Sequence, residues 1–159
     1  MVAERGHNRP TAHVTLRLGE RRYAIDITPV QEIVHSPELD PCLDGPELVV
    51  GMFDSSTGAL PVLDLLGRPP DECPVSRMAL VILQVSNTRL CLIADELPEM
   101  VELDPSKVVP LPSGANGAPD ELLRGVVDVG GRDYYLLDLD QIVLACSGAG
   151  PGRGEGVLK

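Results

Sequence analysis

The stretch GMFDSSTGALPVLDL at residues 51–65 returns in altered form as GVVDVGGRDYYLLDL at residues 125–139. Five of the fifteen positions are identical without a gap: the opening Gly, the Asp three residues later, and the closing Leu-Asp-Leu. A Gly-containing turn interrupts the apolar residues near the middle of each copy. The repeat indicates that the chain is built from two related halves.

Short apolar runs around both copies predict an all-β chain. Residues 13–18 alternate polar and apolar side chains, and residues 23–27 follow across a polar link, which is typical of a β-hairpin. Each half offers about five such runs with turn residues between them, as expected for a small antiparallel barrel or sandwich. The further predicted strands lie at residues 30–34, 48–54, 59–65, 77–85 and 89–95.

The core of such a barrel must be aliphatic, because the chain has one Phe, three Tyr and no Trp. A barrel of about 65 residues is marginal alone, so we expect the halves to pack together. One short helix is predicted at residues 141–144, with Asp138 or Asp140 as its cap.

Proline, glycine and polar residues divide the sequence into segments. We expect a folded domain at residues 13–146, with subdomains at about 13–66 and 75–146 that can exchange strands. The polar residues 1–12 and the glycine-rich residues 147–159 are predicted to be a disordered N-terminus and a disordered tail.

Charge and composition exclude several function classes. A net charge of −11 would repel a nucleic-acid backbone. No apolar run approaches the roughly 20 residues that span a bilayer, and no signal segment is present, so we expect a cytoplasmic protein without membrane insertion. The four cysteines are scattered and no His stands at ligand spacing, which predicts reduced thiols and no metal site.

Catalytic motifs are absent from the sequence. Ser55 and Ser56 lack a Gly-x-Ser-x-Gly context, and no phosphate-binding glycine motif occurs, so neither an enzyme nor a cofactor is predicted. The one enzymatic alternative is a hydrolase that pairs Asp54 with Asp128, which occupy equivalent repeat positions. The favoured hypothesis is a protein-interaction module that uses the seam between the halves and the strand edges near Val30, Gly51 and Phe53.

Several motifs occur in the order and spacing of CheW-type chemotaxis coupling proteins. In the first half these are Tyr-Ala-Ile-Asp-Ile at 23–27, Val-Gln-Glu-Ile at 30–33, and Gly51 ten residues before Pro-Val-Leu-Asp-Leu at 61–65. In the second half, Leu-Ile-Ala-Asp at 92–95, Met-Val-Glu-Leu at 100–103 and the repeat copy continue the pattern. The resemblance covers roughly residues 13–145.

The resemblance implies two intertwined five-stranded SH3-like barrels with a short C-terminal helix. It also implies a non-catalytic adaptor between the cytoplasmic tip of methyl-accepting chemoreceptors and the regulatory domain of a CheA-type histidine kinase, with no cofactor. An interaction module of an unrelated regulatory complex is the alternative. The residues that the resemblance and the exposed edges assign to partner binding are Val30, Gly51, Phe53, Asp54, Ser55, Ser56, Thr57 and Val62.

The turn of the first repeat copy departs from the family pattern. Where the family usually reads Asn-Leu-Arg-Gly, this chain has Asp54, Ser55, Ser56 and Thr57. A cation is therefore missing at Ser56, and Asp54 adds a negative charge. Losing charge-assisted hydrogen bonds from an Arg weakens a contact by roughly 1.5 to 3 kcal/mol, so receptor recognition is expected to differ here.

Overall fold

A computed structural model describes residues 10–35, 37–41, 48–68, 78–111 and 119–147. This part of the chain consists of strands joined by tight turns, two 3-10 turns and one α-helix, α1 (Leu139–Ser147). The strands, in chain order, are β1 (Thr11–Leu18), β2 (Arg21–Asp26), β3 (Val30–His35), β4 (Asp40–Pro41), β5 (Val49–Ser55), β6 (Gly58–Leu63), β7 (Ala79–Val85), β8 (Thr88–Ala94), β9 (Met100–Leu103), β10 (Leu123–Val129) and β11 (Arg132–Leu137).

The strands form two sheets with the same plan. The five-stranded sheet has the order β10-β11-β2-β1-β9, and the six-stranded sheet has the order β3-β7-β8-β6-β5-β4. In each sheet, the second strand of a repeat hairpin pairs in parallel with the second strand of another hairpin. Strand β11 pairs with β2, and β6 pairs with β8. Apart from the two-residue strand β4, each sheet has five strands, and the fold prediction of an all-β chain with a short C-terminal helix is confirmed.

Each sheet takes strands from both halves of the sequence. The N-terminal hairpin β1–β2 lies between β11 and β9, while the hairpin β7–β8 lies between β3 and β6. Strands β6 and β7, which precede and follow the predicted boundary between the subdomains, lie in one sheet. Because parallel neighbours cannot be joined by a tight turn, this exchange links the two halves through their central strands.

The Gly that opens each repeat copy lies at a β-bulge against a second backbone. Gly51 follows a register shift in the pairing of β5 with β6, and a Cβ there would lie 2.8 Å from the carbonyl oxygen of Asp40. Gly125 follows a shift in the pairing of β10 with β11, and its Cβ would lie 2.6 Å from the carbonyl oxygen of Val109. Only a residue without a side chain fits either position.

The core is aliphatic, as the composition predicts. The strands β7 and β8 are buried along most of their length, and Ile142 of α1 packs into the same cluster as Leu16 and Leu63. Cys91 is fully buried there, and this burial raises the pKa of its thiol to about 12. Two sheets and a helix thus share one principal core.

The segment boundaries differ from the predictions at the ends of the domain. Strand β1 begins at Thr11, which pairs with Leu103, so the ordered chain starts before residue 13. Helix α1 is longer than predicted, and the Asp138 carboxylate accepts a hydrogen bond from the Gln141 N–H at 3.3 Å, which makes Asp138 the cap. The predicted disordered residues 1–9 and 148–159 lie outside the described residues, as do Cys42 and Cys73.

Candidate functional site

The hairpin β5–β6 presents the residues that depart from the family pattern. Asp54, Ser56 and Thr57 are exposed, whereas Ser55 is half-buried. Phe53 lies one residue before them, opposite Leu60, and packs partly against the core. The predicted contact residues from Phe53 to Thr57 are therefore contiguous, and most of them face solvent.

A chain of hydroxyl groups holds this turn. The Ser55 hydroxyl donates to the carbonyl oxygen of Gly58 at 2.7 Å and accepts the Thr57 N–H at 3.2 Å. Because the Ser55 hydroxyl proton is donated to the Gly58 carbonyl, the Ser55 oxygen accepts the hydrogen bond in the 3.2 Å contact with the Thr57 hydroxyl. The oxygen of Thr57 remains free to accept a further hydrogen bond.

That hydrogen bond comes from Arg89, near the start of β8. Its Nη1 atom donates to Thr57 Oγ1, thirty-two residues away in sequence. Strand β8 reaches the turn because it is parallel to β6, with Cys91 opposite Val62. Arg89 is not among the predicted contact residues, because no local sequence pattern marks a residue that meets this turn only through the parallel pairing.

Two of the predicted contact residues belong to the β5–β6 hairpin but are buried. Val62 has no exposed surface, and Gly51 is its buried partner on β5. Neither can contact a partner protein in this conformation. Both residues fix the position of the hairpin: Gly51 admits the carbonyl of Asp40, and Val62 packs in the core next to β8.

Val30 begins β3, which has β7 as its only neighbour among the described strands. Its N–H donates to the carbonyl oxygen of Ile27 at 3.0 Å, and its side chain is half-buried against the core. The next residues of the strand, Gln31 to Ile33, are exposed. Val30 and the β5–β6 turn therefore lie at opposite sides of the strand order in one sheet.

The pair Asp54 and Asp128, on which the hydrolase alternative depends, lies on hairpins of different sheets. Asp128 accepts the N–H of Gly131 at 3.0 Å and so caps its own turn. Among the described residues, neither carboxylate has the other as a hydrogen-bond partner. The structure does not bring the two carboxylates together as a dyad requires.

A buried ion-pair cluster joins the two sheets. Arg68 Nε donates to the Asp64 carboxylate at 2.7 Å, and Arg68 Nη2 donates to the Asp95 carboxylate at 2.8 Å. Asp95 also accepts the N–H of Gly19, in the turn between β1 and β2, at 2.8 Å. Burial raises the pKa of Asp95, but the hydrogen bonds from Arg68 and Gly19 outweigh it, and the net pKa is lowered.

Asp64 caps the turn after its own strand and also takes part in this cluster. The Asp64 carboxylate does accept the N–H of Leu66 at 2.9 Å, but its second oxygen binds Arg68. Asp95 caps the turn of another strand pair instead of its own. An Arg four residues after a buried Asp was the signal available in the sequence.

Within the described ranges, no arginine forms an ion pair with the aspartates at the corresponding strand ends of the other sheet. Asp26 accepts the N–H of Thr28 at 2.9 Å, and Asp138 caps α1. Both line an open cleft of about 520 Å³, together with His13 and Arg124. Equivalent carboxylates are thus neutralised internally in one sheet and face a solvent-filled cleft in the other.

Within the described ranges, no group of three or more His, Cys, Asp or Glu side chains could hold a metal ion. In the same part of the chain, no helix is both long and apolar enough to cross a membrane. The features that remain are exposed strand edges, the cleft and the polar β5–β6 turn. These are surfaces that suit contact with another macromolecule.

Comparison with known proteins gives the same family as the sequence motifs. The family model described as CheW-like domain matches residues 12–145. Proteins named chemotaxis protein CheW from Rhizobium meliloti and Treponema pallidum are 25% and 28% identical, with 81% of this chain covered in each case and 84% and 79% of the relatives.

A solved structure shares the fold. The scaffolding protein TtCheW from Thermoanaerobacter tengcongensis superimposes with a TM-score of 0.69 at 21% identity, covering 82% of this chain and 85% of that one. The family match includes all eleven strands except the first residue of β1, and most of the helix. The resemblance seen in the sequence is confirmed, and the chain belongs to the family of CheW-like domains.

Proposed function

We propose that this protein is a non-catalytic adaptor that couples chemoreceptors to a CheA-type histidine kinase. The observation that carries the proposal is the family match from residue 12 to residue 145, which includes both sheets and the repeat hairpins. Relatives of similar length are chemotaxis proteins. An adaptor of this kind works in the cytoplasm, where the tips of membrane receptors and the kinase meet.

The proposed receptor contacts are residues around the β5–β6 turn and, at the other side of the strand order, the half-buried Val30. In this proposal Phe53, Asp54 and the hydroxyl residues after them contact the receptor. Gly51 and Val62 are buried and fix the position of the hairpin. The proposed kinase surface is a strand edge elsewhere in the fold, since strand edges offer unpaired N–H and C=O groups. Two separate surfaces allow one small domain to bind two partners at once.

The altered turn favours a second candidate, an interaction module of another regulatory complex. Ser56 and Thr57 replace an Arg and a Gly, and Asp54 is acidic. A receptor that presents carboxylates to the usual Arg would meet an extra negative charge on this hairpin. The same fold could then serve a partner that is not a chemoreceptor.

Capture of partners from the native cell tests the proposal. Purified protein carrying an affinity tag is expected to recover a CheA-type kinase and a methyl-accepting chemoreceptor. Titration calorimetry of the kinase regulatory domain and of a receptor-tip fragment then measures each affinity separately. Recovery of neither partner, with no heat of binding in either titration, would overturn the adaptor proposal in favour of the second candidate.

Replacing Ser56 with Arg is expected to strengthen binding to the receptor-tip fragment by about tenfold, since a charge-assisted hydrogen bond contributes roughly 1.5 to 3 kcal/mol. Ser56 is exposed, so the longer side chain fits without repacking. Affinity for the kinase regulatory domain serves as the control and should stay unchanged. An unchanged receptor affinity would contradict a favourable contact between the receptor and a cation at position 56.

A further inference from the structure

The guanidinium of Arg89 lies at the β5–β6 turn with most of its donors unused. Arg89 is half-buried, and Nη1 donates to Thr57 Oγ1. Its Nε atom is buried and has no hydrogen-bond partner in the described part of the chain. A guanidinium has five N–H donors, so the described contacts satisfy only a small share of them.

The positive charge of Arg89 is also uncompensated within the described ranges. The ion pairs found in those ranges involve Arg17 and Arg68. Asp54, on the β5–β6 hairpin, forms no ion pair with Arg89. Because Nε is buried, an anionic group that docks on the turn would meet the terminal nitrogens of the guanidinium. Those nitrogens carry four of its five N–H donors, and Nη1 uses one of them for Thr57.

We propose that Arg89 supplies, from the neighbouring strand, the cation that the β5–β6 turn lacks in its own sequence, and that it binds a carboxylate side chain of the receptor tip. A carboxylate matches a guanidinium in shape and accepts two parallel N–H bonds. The exposed hydroxyl of Ser56 lies on the same turn as a further donor. This inference rests on the proposed adaptor function and assigns the charged contact within it.

Thr57 has a defined part in this arrangement. Its hydroxyl donates to Ser55, and its oxygen accepts from Arg89, so the turn holds one end of the guanidinium at Thr57. A Gly at this position would leave Arg89 without that acceptor. The two departures from the family pattern therefore belong together: the turn loses its own Arg and gains a hydroxyl that holds another.

The test measures the affinity of the receptor-tip fragment for wild type, Arg89→Ala and Arg89→Lys by titration calorimetry. We expect Arg89→Ala to bind about 10- to 100-fold more weakly, and Arg89→Lys to bind with intermediate affinity because it keeps the charge without the two-pronged geometry. Wild-type affinity should fall with added salt, and that dependence should be smaller in Arg89→Ala.

Arg132→Ala is the matched control, because Arg132 is exposed on the corresponding hairpin of the second repeat copy. It is expected to bind the tip as wild type does. Ser56→Arg should increase the affinity for the tip by a larger factor in the Arg89→Ala background than in the wild type. The reason is that the two cations would bind the same carboxylate. Equal factors would overturn the assignment.

The outcomes separate this inference from the proposed function. If wild type binds the tip and both Arg89 variants bind within twofold of it, the inference is wrong and the adaptor function stands. If wild type binds neither the tip nor the kinase regulatory domain, both are wrong. Should Arg89→Ala fail to fold, as judged by circular dichroism, Arg89→Lys and the salt dependence of the wild type decide the question.

Discussion

Replacing Arg68 with Met is expected to lower the free energy of unfolding by about 3 kcal/mol at pH 7. The substitution leaves the carboxylates of Asp64 and Asp95 buried without their cation. Removing one partner of a buried ion pair costs about 3 to 5 kcal/mol, and the partial exposure of Arg68 places it at the lower end. Urea unfolding measures the change.

The effect of this substitution should depend on pH. The lowered pKa of Asp95 means that its contribution to stability is present above the unfolded-state pKa of about 3.9 and is lost as pH falls through the folded-state value. Without Arg68 this contribution is absent. The difference in the free energy of unfolding between wild type and Arg68→Met should therefore shrink below about pH 4. A difference that stays constant down to pH 3 would contradict the role of the ion pair.

Glu96→Gln provides the control for an exposed charge in the same region. Glu96 pairs with Arg17 at 3.0 Å, but both side chains are largely accessible to solvent. Exposed pairs contribute about 0 to 1 kcal/mol, so little loss of stability is expected. If Arg68→Met were no more destabilising than Glu96→Gln, the cluster would not be holding the two sheets together.

Replacing Gly125 with Ala is expected to destabilise the protein by about 2 to 3 kcal/mol. A Cβ at this position would lie 2.5 Å from Val108 Cγ1 and 2.6 Å from the carbonyl oxygen of Val109. That carbonyl accepts the N–H of Val126 at 3.0 Å, and Val109 donates to the Val126 carbonyl at 2.9 Å, so the backbone cannot retreat without breaking both bonds. Thermal unfolding followed by circular dichroism measures the loss.

Gly131→Ala separates this steric effect from backbone strain. Gly131 has a φ of +89°, and its added Cβ would meet no atom within 4 Å, so only the backbone cost of about 1 kcal/mol applies. Gly51→Ala should fall between the two, because its Cβ meets the Asp40 carbonyl at 2.8 Å. If Gly125→Ala were as mild as Gly131→Ala, the close approach of the second backbone would not explain the repeated glycine.

The repeat and the apolar runs predicted most of the strands, because hairpins are local. Residues 79–83 and 90–94 are continuous apolar runs, and they form most of β7 and β8, whose ends lie within two residues of the predicted bounds. The order of the strands in the sheets was not available from these runs. The parallel pairs β2 with β11 and β6 with β8 join segments far apart in sequence, and no local pattern specifies them.

The predicted contact residues fall into an exposed group and a buried group for the same reason. Exposure of the turn from Asp54 to Thr57 follows from its polar composition and its place between two strands. Burial of Val62 depends on β8, which covers it from the other half of the chain. A residue in the middle of an apolar run can be assigned to the core or to a contact surface only when its neighbouring strand is known.

Short motifs are enough to assign the family, the all-β class, the two-copy plan and the missing cation in the turn, because each of these motifs is local in the chain. Which charges meet depends on how distant strands pair. Arg68 reaches Asp95, and Arg89 reaches Thr57, because the parallel pairing of β6 with β8 brings distant segments together. The turn that the sequence leaves without a cation therefore receives one from a strand folded beside it, since charge at a surface depends on position in space.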